Sequence, residues 1–229
     1  VILAPDLRQE GAVDLLTPDG KRLRSTILGV GVRDTRTGEN CLLAELQPCQ
    51  AELISPTEVL YRDAFDDIHA DVRYSIDRHR FEQDLILRDR IAPEHLRAVG
   101  IDPEAAELFV MTEFFTPPTP QPRDRMLRTR TGKERPDQEL DFGAMTIGAG
   151  RAFRARPGPG SIEAPVMKAW KKLEGRQFLI ETADYEDLTP LLETLPAPGE
   201  ARLDRMRQRF GRWASVPSLL GPATPTSPV

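Results

Sequence analysis

Cysteine is scarce in this 229-residue chain: Cys41 and Cys49 are the only two. Two thiols cannot build a disulfide scaffold or a thiolate zinc site. In one extended strand they would lie ~26 Å apart, far beyond the ~7 Å Cα limit for a bridge. A bridge would require the chain to double back around residues 45–48, so free, partly buried thiols are expected. Aromatic residues are only 6% of the chain, and the three histidines, His69, His79 and His95, form no HExxH or other paired arrangement. A histidine metal site would need ligands from distant segments; His79 in a turn and His95 on a short helix read as solvated side chains. No run of ~18 apolar residues occurs, which excludes a transmembrane helix. The opening VILAPDLRQEGAVDLL lacks a basic start and a long apolar stretch, so it does not read as a signal peptide. Because the chain starts at Val1 rather than Met, a piece of a longer polypeptide is expected. Net positive charge is also missing: 31 Lys+Arg against 36 Asp+Glu leaves −5, which argues against a globally basic nucleic-acid binder.

Proline, by contrast, is abundant at 21 residues, and hydrophobic residues reach only 39%, so a folded core with long polar or Pro-rich connections is expected. Residues 23–32 (LRSTILGVGV) are β-rich, 34–40 carry turn chemistry, and 41–47 (CLLAELQ) resume an apolar run, which together read as a hairpin. The strongest period-2 pattern sets Ala70, Val72, Tyr74 and Ile76 against Asp71, Arg73, Ser75 and Asp77. After a polar turn, Phe81, Gln83, Leu85 and Leu87 alternate in the same way, giving a second hairpin. Short helices are expected within 93–107, then an apolar strand over 108–115 that stops at TPPTPQP, where successive prolines favour an extended connection. The polar stretch 123–138 reads as part of that connection, followed by strands at 140–147, 151–154, 166–173 and 176–182. A short helix within 185–195 is started or interrupted by Pro190. Residues 1–197 are read as one β-sandwich-like domain, with room for two sub-sheets joined by 116–138. Residues 198–229 are read as an amphipathic helix and a disordered Pro-rich linker.

The densest polar cluster is Asp63, Asp66, Asp67, His69 and Asp71. Its carboxylates could coordinate Ca²⁺, yet the EF-hand glycine and distal glutamate are missing and Asp is favoured wherever a chain turns between strands. Glu82 and Asp84 lie ~7 Å apart on one strand face, a spacing that a glycosidase pair could use and that a solvent-facing strand side shows equally. No GxSxG elbow is present for acyl transfer. Gly29-Val-Gly31 lies inside a strand pattern and marks a bulge or close backbone approach, not a dinucleotide fingerprint. Two segments, 121–136 and 201–213, are each locally +4 and could meet phosphate or acidic polysaccharide; a solvated loop and an amphipathic contact helix are the simpler readings. Trp170 and Trp213 are the aromatics that could serve as a ligand platform.

The segment YRDAFDDIHADVRYSIDRHRFEQDLILRD (61–89) resembles the β-sandwich region of large bacterial secreted or cell-surface proteins, including those with RHS/YD repeats. DFGAMTIGAGRAF (141–153) and the stretch 165–196 look like further parts of such proteins, although no RHS/YD repeat itself is present. The resemblance implies an extracellular or cell-surface setting and offers no catalytic residue to carry over. Taken together, these readings predict a mainly β, antiparallel β-sandwich with a few short helices. Its core should draw on Ile27, Val30, Val72, Tyr74, Ile76, Phe81, Leu85, Leu87, Phe109, Trp170 and Phe178. The expected function is a non-catalytic structural or interaction module of an exported bacterial protein. Its partners would be other domains of the same polypeptide and cell-surface glycans or proteins. A carbohydrate-binding module using Trp170, Trp213 and the acidic turn is the first alternative, and a hydrolase domain with two convergent acid/base groups the second.

Overall fold

A computed structural model describes residues 1–78, 80–155, 161–199 and 204. The fold is mainly β with antiparallel pairing throughout. In chain order the strands are β1 (Ile2–Leu3), β2 (Val13–Leu16), β3 (Arg22–Asp34), β4 (Asn40–Glu45), β5 (Ala51–Ser55), β6 (Glu58–Tyr61), β7 (Ala70–Ile76) and β8 (Phe81–Leu87). Then come helix α1 (Pro93–Ala98), a 3₁₀ turn at Pro103–Ala105, and β9 (Ala106–Phe115), β10 (Gln121–Arg128), β11 (Glu134–Asp141), β12 (Thr146–Ile147), β13 (Gly150–Phe153), β14 (Glu163–Leu173) and β15 (Arg176–Asp184). Helix α2 (Tyr185–Leu192) follows. Among the described residues no helix is long and apolar enough to cross a membrane.

The largest sheet runs β1-β2-β3-β9-β15-β14-β13, with β4 joining β3 beyond the end of β2. β3 is central to this sheet because it pairs with β2 and β4 along one edge and β9 along the other, and its register shifts between Ile27 and Gly29 against β9 and between Val30 and Gly31 against β4. The extra residue reverses the alternation, so Leu23, Ser25 and Ile27 share one face with Val30, Val32 and Asp34. Glycine is required at Gly31 because a Cβ there would sit 2.2 Å from Phe109 Cζ and 2.7 Å from the Cys41 carbonyl oxygen. The bulge and close approach expected from Gly29-Val-Gly31 are therefore both present.

A second sheet, β5-β6-β7-β8, lies against that face. The hairpin pairs Ile76 with Phe81 and Val72 with Leu85, as the period-2 pattern predicts. Tyr61, Val72 and Tyr74 are fully buried with Ile27, Val30 and Val32 in the main core, while Phe81, Leu85 and Leu87 are half-buried beside it. Tyr74 packs edge-on to Tyr61 at 5.9 Å and stacks on Phe81 at 5.5 Å, both within the range of favourable ring pairs. α1 and α2 close one end, contributing Leu96, Leu188, Leu191 and Leu192. Pro190 lies inside α2, where the Thr189 hydroxyl donates to the Tyr185 carbonyl 2.9 Å away.

The segment 123–138 departs from expectation. It is not a connection: β10 and β11 form a regular hairpin from Gln121↔Asp141 to Arg128↔Glu134, and only 116–120 remains irregular. Its cohesion is ionic, with Arg123 opposite Glu139 and Arg125 opposite Asp137, a pattern that apolar periodicity does not register. With β12 this hairpin forms a third sheet, and its base buries Leu140 and Phe142 against Leu23, Phe114 and Leu179 of the large sheet. The second of the two units read from sequence, 198–229, lies outside the described residues except for Pro198, Gly199 and Asp204.

Candidate functional site

The acidic turn between β6 and β7 is built into the backbone. Asp63 takes a left-handed conformation (φ 44°), its N–H donates to Asp71 Oδ1 at 2.8 Å, and its carbonyl accepts from Gln47 Nε2 at 2.7 Å. Asp66 Oδ1 accepts the Glu45 N–H at 2.9 Å, and the Asp66 N–H donates to the Glu45 carbonyl at 3.1 Å, extending the end of β4. Asp71 is buried and also pairs with Arg88. Of the acids in this turn, Asp66, one of the three Ca²⁺ candidates Asp63, Asp66 and Asp67, and its neighbour Asp71 thus direct oxygens at backbone and guanidinium donors. Among the described residues no group of three or more His, Cys, Asp or Glu side chains converges as a cation site would require.

Asp67, His69 and His95 do come together. With Ile68, Asp89, Arg90, Ile91 and Pro198 they line a recess of about 10 Å³, room for roughly one water. His69 Nδ1 lies 3.6 Å from Asp89 Oδ1, while the carbonyl of Pro196 accepts the Arg90 N–H and sets the segment leading to Pro198 beside the recess. His95 is not the solvated residue that its sequence position suggests: it is 5% exposed, and its Nδ1 accepts the Ala92 N–H at 2.9 Å. That bond places any neutral-ring proton on Nε2 and satisfies an orphan donor at the start of α1, as a capping-box side chain does. His79 lies outside the described residues.

The remaining sequence candidates take up structural positions. Asp84 pairs with Arg73 at 2.8 Å and Glu82 with the exposed Arg80 at 3.5 Å, so these two acids serve cross-strand and local ion pairs. The +4 segment 121–136 is largely neutralised within its own hairpin, since 121–141 holds six basic and five acidic residues and sets Arg123, Arg125 and Arg128 opposite Glu139, Asp137 and Glu134. Trp170 is half-buried, packing on Phe114 at 5.0 Å and Phe142 at 5.8 Å. Trp213 lies outside the described residues. Both cysteines are free thiols, Cys41 half-buried and Cys49 buried, as expected; burial pushes the Cys49 thiol up.

The most concentrated chemistry lies elsewhere, where β11 crosses the edge of β14. Beyond Val166, where its pairing with β13 stops, the N–H groups of Lys168 and Trp170 are met by side chains: Asp137 Oδ1 at 2.7 Å and Gln138 Oε1 at 2.7 Å. The Lys168 ammonium, whose side chain is 1% exposed, turns back to Asp137 Oδ1 at 2.9 Å, and Arg125 holds Asp137 Oδ2 at 2.6 Å. Directly across the β14–β15 ladder from Lys168 stands Glu181. Loss of solvent pushes its carboxyl up to about 6, against the pull of Lys168 and with the push of Asp137. Its nearest inward neighbours along β15, Leu179 and Ala183, are buried apolar groups. A second ionic group, Arg135 with Glu107 and Asp184, ties β11 to β9 and β15; burial raises the Asp184 carboxyl despite Arg135.

Sequence reasoning missed the Lys168–Glu181 pair although a signal was present. The tight turn at Glu174-Gly175 fixes Leu173↔Arg176, and counting outward brings residue 168 opposite 181. No comparable signal marks Asp137, which arrives from a different hairpin. Searches of protein-family models, curated proteins and solved structures find no match to this chain.

Proposed function

We propose that the chain is a non-catalytic structural or interaction module. The observation that carries this reading is the employment of its acidic turn: Asp66 and Asp71 accept backbone N–H groups and a guanidinium, as structural carboxylates do. An interaction role is supported by two edge strands that present apolar side chains to solvent. They are β5, with Leu53 at 74% and Ile54 at 45% exposure, and β1, with Ile2 at 69%. The Pro5 carbonyl accepts the Ala51 N–H, which joins the end of β1 to the start of β5 and brings both edges to one flank. The exported bacterial setting belongs to the same proposal and rests on the resemblance at 61–89.

Thermal unfolding of Asp66→Ala and Asp71→Ala tests the reading. Structural acids leave orphaned donors when removed, at about 1–3 kcal/mol each. Acids kept for chemistry are commonly a burden on the fold, and their removal leaves stability unchanged or higher. A rise in melting temperature for both variants would overturn the proposal. A glycan-array signal lost in Trp213→Ala would favour the carbohydrate-binding alternative instead.

A further inference from the structure

The Lys168–Asp137 pair at the β11–β14 crossing sets an amine against a carboxyl carbon deep inside the molecule. The two side chains are 1% and 0% exposed, and Lys168 Nζ lies 2.9 Å from Asp137 Oδ1, one bond away from Cγ. The carboxyl is clamped on both oxygens. The Lys168 N–H donates to Oδ1 at 2.7 Å, and Arg125 Nε donates to Oδ2 at 2.6 Å. Both donors draw electron density away from Cγ, and Arg125 stands where negative charge on Oδ2 would gather during attack on that carbon. The partners lie 31 positions apart in the chain, Asp137 in the third sheet and Lys168 at the edge of the large one, so any bond between them joins two sheets.

We propose that Lys168 and Asp137 condense into an intramolecular amide, an isopeptide bond that staples the third sheet to the edge of the large one. The ion pair is the state of the newly folded chain, and the amide accumulates from it. A proton first passes from the ammonium to Oδ1, leaving a neutral amine and a neutral carboxylic acid; removing two charges held out of water offsets much of the cost of parting them. The Nζ lone pair then bonds to Cγ, and Arg125 meets the charge that develops on Oδ2. The bond from Cγ to Oδ1 breaks, Oδ1 takes a second proton from Nζ and departs as water, and Oδ2 remains as the amide oxygen. One C–N bond replaces one C–O bond, and no oxidant or reductant takes part. Fixed placement of the two groups supplies the rate. The product carries no charge on either side chain, while Arg125 retains Glu139 as a counter-ion at 3.5 Å.

Mass spectrometry of the full chain, as purified and after prolonged incubation in the folded state, reads the bond directly. Wild type should become one water lighter than its sequence requires, and protease digestion should release a branched peptide that joins the Asp137 and Lys168 segments. Lys168→Met should keep its full sequence mass throughout. Absence of the branched peptide after incubation overturns the proposal, whatever the intact mass. Loss of a water from Lys168→Met to the same extent as from wild type also overturns it, because the dehydration would then lie elsewhere in the chain. If Lys168→Met does not fold, the branched peptide from wild type decides alone: its presence supports the bond and its absence refutes it.

Discussion

Replacing Asp137 by Asn keeps the shape of the side chain and an oxygen able to accept the Lys168 N–H, and removes one charge. Asp137 is fully buried and faces two cations, Lys168 at 2.9 Å and Arg125 at 2.6 Å. Without its charge the Lys168 ammonium, 1% exposed, keeps only Glu181 as an anionic neighbour. Breaking a buried pair in this way costs about 3–5 kcal/mol, because an uncompensated charge stays out of water. For a domain of this size that lowers the melting temperature by on the order of 10 °C. Lys168→Met should cost less, since Asp137 then still pairs with Arg125 and still accepts the Lys168-position N–H. The double variant should recover part of the Asp137→Asn loss, as both members of the strained pair are gone. Urea unfolding of the four proteins gives the coupling energy. If Asp137→Asn costs less than Lys168→Met, or the two costs simply add, the assignment of Asp137 as the centre of the cluster is wrong.

Gly31→Ala should destabilise by about 1–3 kcal/mol in chemical denaturation, since its Cβ must displace the Phe109 ring, and Phe109→Leu should relieve part of that loss. Glu181→Gln should change the pH profile of global stability. The native carboxyl sits near 6 against an ordinary 4.5, so wild type is penalised when it must ionise. The variant therefore gains at most about 2 kcal/mol above pH 6, fading to nothing as the pH falls below 4.5; calorimetry that finds no such convergence contradicts the raised carboxyl. Thiol labelling should count two reactive cysteines in denaturant, with Cys49 protected in the native state and Cys41 the faster to react.

Elements whose apolar residues alternate against a buried face could be read from the chain with nearly correct limits. β7 and β8 did so through Val72, Tyr74 and Leu85, and β14–β15 did so through a two-residue turn between β-rich runs. β9 was equally clear because its ten residues are buried on both sides over much of their length. The strands that escaped notice are β1 and β2, which are two and four residues long, β5 and β10, which are largely exposed, β6, whose buried Leu60 and Tyr61 are too short a run to show a period, and the polar β11. Their stabilisation comes from partners such as Arg125–Asp137, which only a known register can match. The site residues divide in the same way. Asp63, Asp66 and Asp67 read correctly as a turn, whereas the roles of His95 and Asp137 depend on contacts between segments whose relative placement the chain does not announce.

The double partnership of β3 bears on how the chain must be made. One edge of this strand is served early, by β2 before it and β4 just after it, but the other edge pairs only with β9. Phe115 lies 81 positions beyond Asp34. At a synthesis rate of roughly 5–20 residues per second, the thirteen-residue edge of β3 stays open for about 4–16 s before its complement leaves the ribosome. During that interval Ile27, Val30 and Val32 offer a long apolar template, so the nascent chain is most vulnerable to mispairing and most dependent on chaperones before residue 106 has emerged.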